Sequence, residues 1–264
     1  MPNYLPPKAI PSLEVIIITK NEELHIEEAV KSAKQLSESV LVVDSGSNDN
    51  TISLAEAAGA RVIYHQWTHD YGAQRNFALS CSKAHWVFFL DADERITPEL
   101  ATAIKQIVED EQEGVYDIAR HNIAFGRAFK YGVLGKETVR RLQPRVKARW
   151  EGKVHEAMVS NLPANLIKEG YLLHYPYRDY SHYQSKMEFY SLLGAEKMYL
   201  KGKKTFFIRD MVLRPMVAFC KMYLLKLGFL EGWLGLALAI SYVNYTVSKY
   251  TKLMLLNEQG KHKH

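Results

Sequence analysis

Cysteine is scarce. Cys81 and Cys220 are the only two in 264 residues, far apart and in no metal-binding or redox spacing. That points to a reducing compartment. Residues 1–11 are proline-rich and lack the apolar run of a secretory signal, so the expected location is the cytoplasm. Long hydrophobic runs are missing too. A spanning helix needs ~20 apolar residues. The most hydrophobic stretch, residues 227–243, is shorter and is interrupted by Glu231 and by Gly228, Gly232, Gly235 and Ala237. Helices lying at a membrane interface, or a buried helix pair, suit it better than a span.

Acidic residues are scarce in one region only. Residues 201–264 hold 11 Lys and Arg against 3 Asp and Glu, whereas residues 1–200 hold 23 against 26. The net charge of +5 therefore hides a basic tail on a mildly acidic body. Its lysines alternate with leucine and aromatic blocks rather than forming basic arms. The expected partner is an anionic membrane surface and not nucleic acid.

What the chain does have is a strand on which the rest is organised, Trp86-Val87-Phe88-Phe89-Leu90, running into Asp91-Ala92-Asp93-Glu94-Arg95. Five apolar residues read as a buried strand. Two carboxylates one residue apart then fall at the carboxyl edge of a sheet, where open α/β sheets bind ligands. Such a pair repels itself unless something positive joins it. A hard divalent ion that also takes phosphate oxygens is the usual partner. An acidic turn is the plain alternative.

Upstream, Leu13–Thr19 is a β-branched strand ending in Lys20-Asn21-Glu22, and a helical period follows at Ile26, Ala29, Val30, Ala33 and Leu36. Residues 40–43 form a second strand ending in Asp44-Ser45-Gly46-Ser47-Asn48-Asp49-Asn50-Thr51, a loop dense in turn and capping residues. A helix over residues 52–58 and a short strand over Arg61–Tyr64 complete a β-α-β-α-β pattern. Residues 70–82 read as a helix carrying Gln74, Arg75 and Asn76, and Thr97-Pro98-Glu99 starts another. Residues 115–180 lose the simple alternation and are rich in basic and aromatic side chains. Strand-like pieces there cover 115–119, 139–146 and 171–174. Beyond Tyr180 the pattern is helical.

Three strand ends, at Thr19, Asp44 and Asp91, thus face one crevice. Here the sequence resembles the inverting glycosyltransferases of family 2, which have the GT-A fold. The resemblance rests on residues 44–51 followed by the acidic strand end, and it spans residues 12–180. Gln74-Arg75-Asn76, residues 90–95 and Trp150-Glu-Gly-Lys-Val-His-Glu156 are similar to the lipopolysaccharide inner-core β-1,4-glucosyltransferase subgroup.

The resemblance implies an α/β, Rossmann-like, mostly parallel sheet flanked by helices. Residues 1–11 would be a tail, 12–180 the catalytic domain, and 181–264 a helical membrane-associating appendage. It implies transfer of a hexose from a UDP-sugar to a lipid-anchored saccharide at the cytoplasmic face of the inner membrane. Thr19, Asn21, Glu22, Asp44 and Ser45 match the base and ribose pocket. Asp91 lies near the ribose, and Asp93 reaches a Mg²⁺ or Mn²⁺ ion. His155 or His174 could complete that ion's shell, and either could equally be structural. Arg75 could clamp the diphosphate, or be a surface charge on its helix. Trp150 could pack on a sugar face. Glu156 is the expected general base, with Asp179 and Glu151 as rivals, because the Glu-Asp pair of many members is missing.

Two other activities remain open at this level. One is transfer to another membrane-linked glycan, undecaprenyl-linked or capsular. The other is non-catalytic binding of a sugar nucleotide. A nucleotidyltransferase would want a Gly-rich basic loop after the first strand, and Lys20-Asn21-Glu22 offers none.

Overall fold

The structure, a computed structural model, describes residues 12–68, 70–152 and 156–261. In chain order the elements are β1 (Leu13–Thr19), α1 (Ile26–Lys34), β2 (Val40–Asp44), α2 (Thr51–Ala57), β3 (Arg61–Tyr64), α3 (Tyr71–Cys81) and β4 (Trp86–Asp91). There follow β5 (Glu94–Ile96), α4 (Pro98–Glu109), β6 (Val115–Ala124), β7 (Arg127–Ala128), β8 (Glu137–Pro144), β9 (Ala148–Glu151), β10 (Ala157–Ser160) and β11 (Ala164–His174). Helices α5 (Tyr180–Leu200), α6 (Arg214–Phe219) and α7 (Gly232–Lys261) close the chain. Two compact units result. The first comprises Met1–Arg120 with Glu137–His174, and the second His121–Lys136 with Tyr175–His264.

The first unit is a mixed α/β sheet flanked by helices, with strands in the order β3-β2-β1-β4-β8-β6-β11-β5. β1 to β4 pair in parallel, as the alternating β-α pattern predicts. β8 pairs antiparallel with both β4 and β6, and β11 antiparallel with β5, so the parallel arrangement stops at β4. β9 and β10 form a separate antiparallel hairpin.

The strands β1, β2 and β4 read as continuous apolar runs because both faces are covered. Side chains alternate between faces with a period of two. Val15, Ile17, Val42, Phe88 and Leu90 pack with α1 and α4 on one side, through Ile26, Val30, Leu100 and Ile104. Ile16, Leu41, Val43, Val87 and Phe89 pack on the other with Ala78 and Leu79 of α3, and with Trp150 and Met158 of the hairpin. Each fully buried aromatic or aliphatic side chain here is worth ~1.5–3 kcal/mol of burial.

Helix starts follow local chemistry, with two departures. Asp70 caps α3 by accepting from the Ala73 amide at 2.8 Å. Thr97 precedes Pro98 at the start of α4, but its hydroxyl accepts from the Tyr171 amide of β11 at 3.1 Å instead of capping the helix. At α2, Asn50 makes no side-chain cap, and Asp49 accepts from the Thr51 amide instead.

The second unit is helical. α5 and α7 are joined by Tyr180 Oη to Ser241 Oγ at 2.7 Å and by Ser191 Oγ to Ser248 Oγ at 3.2 Å. An aromatic cluster of Phe125, Phe129, Tyr177 and Tyr183 packs with Leu234 and Leu238. Two wide, π-type turns, Ile208–Leu213 and Cys220–Leu225, flank α6. The tight turn Gly228–Glu231 follows, and the segments before and after it meet at 67°. Among the described residues no single helix is long and apolar enough to cross a membrane. Glu231 holds the turn by accepting from the Lys130 and Tyr131 amides at 2.9 and 3.0 Å, and it pairs with Arg127. Small residues are needed there, because a Cβ on Gly235 would lie 2.0 Å from the Gly228 carbonyl oxygen.

Candidate active site

Parallel registry sets the site. Thr19 pairs with Asp44 across β1 and β2, and Ile18 with Asp91 across β1 and β4, so the strand ends share one edge. The loop after β1 is sewn to the loop after β2. Asn21 adopts φ +55° and donates its amide to Ser47 Oγ at 2.8 Å, while its side-chain oxygen accepts from the Asn48 amide at 2.8 Å. The Glu22 amide donates to Thr51 Oγ1 at 2.8 Å. Asp44 is fully buried and accepts from the Gly46 and Ser47 amides at 2.8 and 2.9 Å and from Ser47 Oγ at 2.5 Å. Its carboxylate therefore shapes the loop that the family resemblance matches to a base and ribose pocket. Ser45 donates its amide to the Thr19 carbonyl, and its hydroxyl accepts from Gln74 Nε2 at 3.0 Å. The Thr19 hydroxyl is buried without a partner among the described residues, and buried polar groups are rarely left so.

α3 delivers its polar trio to three separate tasks. Gln74 meets His65 Nδ1 at 2.6 Å, and His65 stacks on Phe77. Asn76 clamps the Trp150 backbone from both sides, at 2.8 and 2.9 Å. Arg75 is buried, which removes the alternative of a surface helix charge. Its Nε donates to Glu156 at 2.9 Å and its Nη2 to Asp91 at 3.0 Å, while the guanidinium lies over Trp150 and Phe89. Its Nη1 is buried without an acceptor among the described residues.

Trp150 differs from expectation. Its ring is buried against Phe89 at 5.1 Å and under Arg75, not presented to a sugar. Asn76 holds the backbone so that β9 turns the indole into the second core layer.

The two acids of Asp91-Ala92-Asp93 have different neighbours. Asp91 accepts from Arg75 and from Arg141, and its amide donates to the fully buried Glu94 at 3.1 Å. Arg141 also reaches Glu94 at 2.6 Å, and Arg120 reaches it at 2.8 Å. Burial alone would raise the Asp91 carboxyl and lower the Arg141 guanidinium. The charges of Arg141, Arg75 and Arg120 outweigh it, so Asp91 sits far below the usual carboxylate range. Arg141, facing Asp91 and Glu94, sits well above its ordinary value. Asp93 instead faces His174, with Oδ2 and Nε2 3.4 Å apart.

Arg141, Arg120 and Glu94 carry no role in the sequence reading. The signal was available for one of them. Arg140 and Arg141 are neighbours on a strand and must face opposite ways. Arg140 pairs with Asp117 at 2.8 Å, which leaves Arg141 for the acidic edge. Of the rival bases, Glu151 is exposed and paired with Arg149 at 2.6 Å, and Asp179 caps α5 by accepting from the His182 amide at 2.7 Å. His155 lies outside the described residues. Among those described, no cluster of three or more His, Cys, Asp or Glu forms a ready-made metal cage.

Known proteins carry the same pattern. An uncharacterized glycosyltransferase of Rickettsia conorii is 31% identical over 208 residues, 73% of this chain and 72% of its own. A lipopolysaccharide core biosynthesis glycosyltransferase, LpsC, of Rhizobium meliloti is 29% identical over 84% of this chain and 87% of its own length. Among solved structures, glucosyl-3-phosphoglycerate synthase from Mycobacterium tuberculosis, in complex with Mn²⁺, UDP and phosphoglyceric acid, is 21% identical. It covers 52% of this chain and 57% of its own, with a TM-score of 0.37. The chain thus spans about half of that protein, as it does of others solved. The sequence model of glycosyl transferase family 2 matches residues 14–158, which take in β1, the Asp44 loop, α3, Asp91-Ala92-Asp93 and Glu156, and the chain belongs to that family.

Proposed function

We propose that the chain is an inverting hexosyltransferase. It moves a hexose, glucose on the sequence resemblance, from a UDP-sugar to a heptose of the lipopolysaccharide inner core. The observation that carries this reading is the Arg75 bridge, which ties the donor-edge Asp91 to Glu156 through one buried guanidinium. The Rhizobium relative, named for lipopolysaccharide core biosynthesis, supports the acceptor class.

In this reading Thr19, Asn21, Glu22, Asp44 and Ser45 line the base and ribose pocket, and the unpartnered Thr19 hydroxyl is one contact. Arg75 Nη1, a buried donor without an acceptor, meets a diphosphate oxygen. Glu156 accepts the proton of the attacking acceptor hydroxyl as the new glycosidic bond forms. The anomeric carbon–oxygen bond breaks, and UDP leaves with its electron pair. Attack from the opposite face turns an α-linked donor into a β-linked product. Arg75 must loosen its hold on Glu156 for that proton to move, and the incoming diphosphate supplies the competing anion.

A divalent ion, Mg²⁺ or Mn²⁺, suits the edge. Asp93 and His174 face one another, and such an ion is commonly held by one or two protein ligands with substrate phosphates and water completing the shell. When bound it neutralises charge developing on the leaving diphosphate. His155 remains a further candidate ligand.

The second unit supports docking on an anionic membrane at the cytoplasmic face. Phe206, Phe207, Ile208, Leu225 and Trp233 are exposed, the last two at 80% and 79%. Large apolar side chains left exposed in such number favour a binding face.

Incubation with a panel of nucleotide sugars and truncated lipopolysaccharides, read by mass spectrometry of the glycolipid, tests the reading. A hexose added from UDP-glucose to a heptose-terminated acceptor supports it. Transfer only to undecaprenyl-linked or capsular acceptors moves the acceptor assignment, and donor binding with no transfer removes the enzyme.

A further inference from the structure

A cavity of about 430 Å³ opens in the second unit between α6 with its flanking turns and α7. Arg209, Arg214, Lys221 and Lys249 line it, with Leu213 and Val217 among its apolar wall residues. One carboxylate, Asp210, answers the two arginines: Arg209 Nη2 and Arg214 Nε donate to it at 2.8 and 2.7 Å. Lys221 makes no ion pair among the described residues. Lys249 rests on the faces of Tyr245 and Tyr250, at 4.8 and 5.3 Å, with no acid beside it. Burial, and then the charge of Arg214, push the Lys249 ammonium below its ordinary value. Four cations therefore converge on a single carboxylate, in a concave site walled by apolar side chains that face solvent.

Lys249 is half-buried while Arg209, Arg214 and Lys221 are exposed, and an anion is the partner that this local excess of positive charge fits. Arginine and lysine around a cavity of this size suit a phosphate ester, through paired N–H donors and point charge respectively. The exposed Leu213 and Val217 at its wall suit acyl chain rather than water. We propose that this cavity seats the phosphate of an anionic membrane lipid, fixing the second unit at a defined place on the bilayer surface. The proposal rests on the membrane reading above and adds a specific site to it.

The test uses the full chain and vesicles of phosphatidylcholine with or without phosphatidylglycerol. Wild-type protein binds only the anionic vesicles. The double variant Lys221→Gln/Lys249→Gln binds them about 30-fold more weakly, from ~1 kcal/mol per basic residue. The double variant Lys201→Gln/Lys203→Gln removes equal charge from the exposed turn after α5 and loses less. Val217→Asp, an exposed change that places an acid at the cavity wall, also weakens binding, with an unchanged thermal melt. Equal losses in the two double variants would show diffuse attraction and overturn the lipid seat while leaving membrane binding intact. Wild-type protein that ignores anionic vesicles overturns the membrane reading and the seat together. Competition by soluble glycerol phosphate at the same concentration as the lipid phosphate overturns the lipid as source.

Discussion

The first unit and the second use charge in opposite ways. At the sheet edge, Asp91 and Glu94 are answered by Arg75, Arg120 and Arg141 within hydrogen-bond reach. In the tail, among the described residues, Lys221 pairs with no acid, Lys249 rests on aromatic faces, and large apolar side chains such as Leu225 and Trp233 face outward. Compensated charge of the first kind holds a geometry. Uncompensated charge and exposed carbon of the second kind await a partner. Within the first unit the same contrast recurs on a smaller scale, since Asp91 is locked by arginine whereas Asp93 faces His174.

Substitutions that exploit this contrast should differ in kind. Asp93→Ala is expected to abolish transfer, by ~10³-fold or more, with little change in thermal melt. Full activity of wild-type enzyme in excess chelator would count against the metal. Glu156→Gln should lower kcat by ~10²–10⁴-fold while donor binding is kept, because a general base acts on the acceptor alone. If Glu151→Gln or Asp179→Asn is the variant that fails instead, the base moves to that residue.

Arg141→Met attacks the compensated kind directly. It leaves Asp91 and Glu94 short of a cation and should cost ~3–5 kcal/mol of stability, read by denaturant melts. A loss under ~1 kcal/mol would mean that Arg75 and Arg120 suffice.

The smallest effect belongs to Asp210. Hydrogen bonds from Arg209 lead, and with help from the Phe206 amide and Arg214 they overcome burial and hold its carboxyl at about 2, against an ordinary 3.8. A depressed carboxyl stabilises the fold above its unfolded value and loses that contribution as pH falls through its folded value. Between about pH 4 and pH 2 the wild-type chain should lose on the order of 1 kcal/mol that Asp210→Asn does not. Parallel acid titrations of both would show it.

What could be read in the sequence follows from period and spacing. The apolar runs of β1, β2 and β4, the Asp70 cap and the Gln74-Arg75-Asn76 trio are local signals, and they lie where the pattern predicts. The antiparallel half is not local. β8 joins β4 through partners 54 to 58 positions apart, such as Phe88 with Leu142 and Trp86 with Pro144, and a sequence pattern carries no such pairing. Arg141 was legible only in part: strand alternation sends Arg140 and Arg141 opposite ways, but which of them meets the acids depends on pairing with another strand. Trp150 misled because an indole beside Glu156 suits a sugar platform, and only the Asn76 clamp turns it inward.

The proposed nucleotide-diphosphate site at the carboxyl edge is organised by Asp93. Calorimetric titration of UDP into the wild-type chain and into Asp93→Ala, each with Mn²⁺ and again with chelator, measures this without knowledge of the acceptor. Binding by wild-type protein in Mn²⁺ alone, lost in the variant, is the predicted result. Equal UDP affinity in all four titrations would contradict it.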